Sequence, residues 1–196
     1  MKKLFFLLTI SLSAAVASAQ NYESIKTLLA LQKYDQAKTD FDKAISNAKF
    51  AGKAEAYILK ATIYSALATS DANKNTPTGE QLTNDAATAF YKYREMEPDM
   101  NQVTDPIYQN GPINIYSSYY SLGYNDYTDK KWAAGFAKLK KAVEFSDMLI
   151  AKKVLTISLD TNVLILAGIT AENSGNKDEA AKIYIRLADN KVAGDG

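Results

Sequence analysis

Five tyrosines fall close together in this chain: Tyr116, Tyr119, Tyr120, Tyr124 and Tyr127. On a helix they spread over one broad side. A tyrosine has a large apolar body and a polar tip, so such a face suits packing and binding alike. Other chemistry is scarce. The chain has neither histidine nor cysteine. That removes the commonest general base, the commonest zinc ligand, the thiolate nucleophile and any disulfide framework. Most hydrolytic triads are excluded with them. Adjacent acids such as Glu95/Glu97 and Asp178/Glu179 read as a solvated face and a helix start rather than as acid–base pairs. Asp71-Ala72-Asn73-Lys74-Asn75 begins like a calcium loop, but Thr76 stands in place of the required glycine and Leu82 in place of the closing glutamate. No Gly-x-x-x-x-Gly-Lys phosphate loop is present. The expectation is a protein without catalytic residues, metal or cofactor.

The elements that must carry these residues are read from spacing. Lys2 and Lys3, the apolar run from Leu4 to about Val16, and Ala17-Ser18-Ala19 before Gln20 form a secretory signal peptide over 1–19. Beyond it, 20–196 reads as one helical domain of sizeable core, with 47% apolar residues and only 4 prolines and 9 glycines. Without the leader, 21 basic residues face 22 acidic ones, a net charge of −1, and no basic stripe marks a nucleic-acid partner. No later stretch has the ~20 continuous apolar residues of a membrane span.

Apolar residues recur at helical spacing in four paired blocks. Ile25, Leu28, Leu29, Ala30 and Leu31 precede a polar break at Gln32–Asp35, then Ala37, Phe41, Ala44 and Ile45 follow. Tyr57, Ile58, Ala61 and Tyr64 precede a polar loop over 69–79, then Ala86, Phe90 and Tyr93 end near Pro98. Asn101 to Ile115, with Pro106, Gly111 and Pro112, reads as a separator. Tyr119, Leu122 and Gly123 pair with Trp132, Gly135, Phe136, Leu139 and Ala142. Val154–Ile157 reads as a linker. Leu164, Ala167, Gly168 and Ala171 pair with Ala180, Tyr184 and Leu187 across the Ser174-Gly175-Asn176 turn. The units are about 20–51, 54–100, 116–149 and 161–194.

In each second helix a small residue, a large one four later and a small or apolar one three after that repeat. They are Ala37/Phe41/Ala44, Ala86/Phe90/Tyr93, Gly135/Leu139/Ala142 and Ala180/Tyr184/Leu187. With Leu122-Gly123, Tyr119 and Pro98, this pattern resembles the tetratricopeptide repeat, a helical hairpin of ~34 residues. Asp126 departs from it, standing where an aromatic is usual. The resemblance implies an all-α fold of about four hairpins stacked into a right-handed superhelix, an α-solenoid. It also implies a concave groove lined by the first helix of each repeat, at Tyr120, Tyr124, Tyr127, Asn162, Ile165, Ile169 and Asn173. The function implied is a non-enzymatic scaffold for a peptide or protein partner. The alternative is a carbohydrate-binding or carbohydrate-processing protein that offers tyrosine faces to sugar rings. A peptide reader calls for a continuous groove; a sugar reader calls for exposed tyrosines on a cleft beside carboxylates or amides. The last helix, about 177–189, carries Ala181, Ile183, Tyr184, Ile185 and Leu187, an apolar edge suited to self-association or a partner.

The leader resembles those of exported proteins of Gram-negative bacteria of the Bacteroidota type, which points to the periplasm or cell envelope. Exported protein is expected to begin at or near Gln20; an intact mass that retains Met1 excludes this.

Overall fold

The computed structural model describes residues 22–190; the leader lies outside them. Among the described residues the fold is all-helical, with no strand. The helices are α1 (22–30), α2 (Tyr34–Ala44), α3 (Ala48–Ala51), α4 (Ala54–Ala68), α5 (Pro77–Met96), α6 (Asn110–Thr128), α7 (Trp132–Ala151), α8 (Thr161–Asn173) and α9 (Lys177–Asp189). A short 3₁₀ turn, Asn101–Thr104, precedes α6. None of these helices is long and apolar enough to cross a membrane.

Helix α4 is apolar nearly all round, and a helix of that kind belongs inside. Its residues from Ala61 to Ala68 are all buried. Helices α2, α3, α5 and α6 pack around it. Beyond it the chain proceeds by pairs: α6 packs on α7, α7 on α8 and α8 on α9, while α4, α6 and α8 also touch in series. The shared core runs from Tyr22 and Phe50, whose rings stack at 4.1 Å, through Phe41, Phe90 and Tyr93 to Phe145 and Val163.

Local signals place the helix ends. Thr76 accepts the Gly79 N–H and Pro77 opens α5, where its missing donor costs nothing. Helix α5 stops just ahead of Pro98, which disfavours helical backbone in the residue before it. Asp160 caps α8. Gly175, at φ 83°, turns the chain between α8 and α9. Tyr184 then packs on Gly168, where an added Cβ would stand 2.5 Å from the ring.

Two boundaries differ from expectation. The loop expected over 69–79 ends at Thr76, because Pro77–Gly79 form the first turn of α5. The expected separator over 101–115 is half helix: α6 begins at Asn110, ahead of the start expected near residue 116. Gly111 and Pro112 read as breakers in sequence, yet Pro112 sits in a first turn, where proline is tolerated. Residues 154–157 form the expected irregular linker. Buried Asp126 accepts from Lys138 Nζ at 2.8 Å, and the same ammonium lies 3.1 Å from Glu80. Burial alone would lower the pKa of Lys138, but the two carboxylates outweigh it and raise it.

Tyrosine hydroxyls bridge each junction between successive hairpins. Tyr64 on α4 donates to Asp42 on α2 at 2.8 Å. Tyr108 donates to Glu55 on α4 at 2.7 Å, Tyr119 to Asn84 on α5 at 2.9 Å, and Tyr116 to Asp160 at 2.7 Å. Burial first, then the facing carboxylate, raises the pKa of Tyr108 and of Tyr116; burial chiefly raises that of Tyr119. Unfolded tyrosine ionises near pH 10.0, so the folded state holds these protons more tightly. Their contribution to stability is complete below that pH and is lost as pH rises through the higher folded values. Denaturant midpoints followed by circular dichroism are expected to fall steeply above about pH 10; an unchanged midpoint in strong alkali contradicts the bridges.

Candidate functional site

Two neighbouring helices, α4 and α6, run beside each other with an open seam between them. Its floor is set by a close approach: a Cβ on Gly111 would come 2.7 Å from Thr62 Oγ1 and 3.1 Å from Thr62 Cα. No side chain fits there, so the two backbones nearly touch. Beyond that contact α4 offers only small groups, Ala66, Ala68 and Thr69. The space above stays open.

Three clefts open along and beside this seam. One of ≈ 270 Å³ is lined by Leu29, Tyr34, Thr62, Ala66, Asn110 and Asn114, among others. A second, ≈ 310 Å³, continues past Asn114 to Ser117, Ser118 and Ser121, closed on the far side by Thr69, Lys74 and Asn75. A third, ≈ 450 Å³, shares Gln32 and Tyr34 with the first and reaches Ser70 and Asn73. The first shares Asn114 with the second, so the three lie side by side and are taken together as a trough. Thr62 and Ala66 line it with Asn110 and Asn114, and Thr69 lines it with residues 117–121. Both helices therefore advance along it in the same direction.

The trough is lined by amides and hydroxyls together with apolar groups such as Leu29, Ala66, Ile107 and Leu122. Ser121 donates to Asn75 Oδ1 at 2.9 Å, which ties the α4–α5 loop to α6. The loop is further held by Asn73, whose amide donates to the Leu67 carbonyl at 3.0 Å. The side chains of Asn110, Asn114, Ser117 and Ser118 have no hydrogen-bond partner among the described residues. No polar side-chain atom there is buried without a partner, so all four keep access to solvent. The charged lining residues are Lys33 and Asp35 in the third cleft and Lys74 in the second; the first has none.

The expected groove residues lie next to this trough rather than in it. At about 100° per residue, Tyr120, Tyr124 and Tyr127 sit roughly a quarter turn around α6 from the Asn114 row. They are on the side of Tyr116, whose hydroxyl reaches Asp160 at the head of α8. Tyr124 is 46% exposed, and its ring lies 6.1 Å from that of Tyr127, which meets Trp132 edge-on at 5.9 Å. Tyr120 is half-buried beside Tyr116. On α8, Asn162 and Ile165 are exposed and Ile169 half-buried, while the Asn173 amide is spent on the Ile169 carbonyl. None of these seven residues lines the three adjoining clefts.

The acidic residues noted in sequence stay apart. Glu95 pairs with Lys92, and Glu97 accepts from Asn101. Glu179 is held between Lys140 and Lys182, whose hydrogen bonds bring its carboxyl down to about 2. Among the described residues no three potential ligands gather around a metal-sized space. Compared with family models, characterised proteins and solved structures, the chain matches none.

Replacing Gly111 by leucine is expected to force α6 off α4 and cost about 1–3 kcal/mol or more. A thermal melt within a degree of the parent would show that the two backbones do not need their close approach.

Proposed function

We propose that this chain is a non-enzymatic binding scaffold of stacked, tetratricopeptide-like hairpins that holds a segment of a peptide or protein partner. The observation that carries the reading is the row of adjoining clefts: neighbours share Asn114 at one junction and Gln32 and Tyr34 at the other. A row of adjoining clefts offers length for an extended chain. The order of helix contacts supports the stacking, since each helix meets its chain neighbour and α4, α6 and α8 meet in series. The absence of histidine and cysteine from the sequence supports a role in binding rather than catalysis. The leader supports a place in the cell envelope. The outer side of α9, where Ile185 is 59% exposed, offers a second surface for self-association.

Site-specific photocrosslinking in native envelopes tests this. A crosslinker at Ser118 is expected to capture a partner that a crosslinker at Ile165 does not, and Ala66→Trp is expected to abolish the capture while the protein stays folded. Equal capture from both positions, or capture indifferent to Ala66→Trp, overturns the trough as the binding face.

A further inference from the structure

Asn110, Asn114 and Ser118 stand at successive four-residue steps along α6, and all three line the trough. Four residues of helix rise by about 6.0 Å. An extended chain repeats its peptide groups on one side every two residues, about 6.6 Å. The two intervals differ by only a tenth, which flexible side chains absorb over three positions. A carboxamide carries an acceptor oxygen and a donor NH₂ side by side, the complement of the N–H and C=O that one residue of an extended chain presents on the same side. A serine hydroxyl does either job singly. These three side chains lack protein partners, so they are free to bond a chain laid beside them.

Charge narrows the occupant. The cleft between Thr62 and Asn114 has no ionised lining residue, and its continuation has only Lys74, at the rim. A charged side chain entering the seam would shed water and meet no counter-charge. The α4 side facing α6 carries only small groups, Thr62, Ala66, Ala68 and Thr69, which leaves depth for main chain and short side chains.

We propose that the α4–α6 seam recognises an extended, uncharged polypeptide segment through its main chain, which runs along α6 and is bonded by Asn110, Asn114 and Ser118. This rests on the peptide-binding reading above and adds the chemical class of the ligand and the groups that read it.

The test selects peptides from a random displayed library on the full exported chain, then measures their binding by calorimetry. Seam-bound peptides are expected to be uncharged over their central residues. Their affinity is expected to change by less than about twofold between low and high salt, since screening acts only on charges. Asn114→Leu is expected to weaken binding about tenfold at an unchanged melting temperature, the size of one lost pair of hydrogen bonds. Methylation of alternate main-chain nitrogens in the peptide is expected to weaken it by a similar factor, and Lys92→Ala, on α5 outside the clefts, to leave it unaltered. Peptides that bind the trough, as judged by loss on Ala66→Trp, but are charged, salt-sensitive and indifferent to N-methylation overturn main-chain recognition and leave the peptide-binding reading standing. Selection of no peptide, or of peptides indifferent to Ala66→Trp, overturns both.

Discussion

The contact of Gly111 with Thr62 governs the arrangement around it. It brings the α6 backbone against that of α4, the one helix buried on nearly every side. Because α4 is fixed by its neighbours, α6 inherits its position. Past that contact the α4 side chains are short, and clefts open beside Asn114. A larger residue at 111 would trade the close approach for ordinary helix packing at 8–10 Å spacing. The clefts beside this contact are lined by small residues at 66, 68 and 69.

Polar pairing completes what apolar burial begins. Asp160 accepts from Tyr116 and from Ser146, and caps Val163, so one carboxylate joins α6, α7 and the start of α8. Asp126, Lys138 and Glu80 do the same for α6, α7 and α5. Asp126 departs from the aromatic that the repeat resemblance calls for, and its partner explains how a carboxylate is tolerated there: the Lys138 ammonium reaches it in a largely buried setting. Surface pairs such as Lys92–Glu95 add little by comparison.

Much of the helical order was legible in the sequence. Spacing of small and large apolar residues located the second helix of each pair, and Gly175 announced its turn. The tyrosine face of α6 was legible as a face, and Tyr124 does reach solvent. The trough was not legible, for a physical reason. Its reading row starts at Asn110, in a stretch where Gly111 and Pro112 look like helix breakers. Only the tertiary contact with Thr62 shows that the glycine serves closeness and that the proline opens a helix. The periodic set 110, 114, 117, 118 and 121 was present in the sequence, but short polar residues carry no hydrophobic signal, and two of its five positions lay in an assumed separator. The α4 wall was equally silent, since Ala66 and Thr69 matter for the space they leave.

The tyrosine bridges bear on how the molecule opens. In an array held only by nearest-neighbour packing, each hairpin can melt with little regard for the rest, and ends fray one unit at a time. Here the bridges join residues 22 to 53 positions apart along the chain. Peeling one helix pair away gives up the phenol hydrogen bond to the next, a net loss of about 0.5–1.5 kcal/mol for each bond exchanged for water. Melting is thereby coupled from unit to unit. The terminal pair α8 and α9 cannot swing out without disturbing α6 through Tyr116, so slow hydrogen exchange should extend across hairpin boundaries rather than stop at them.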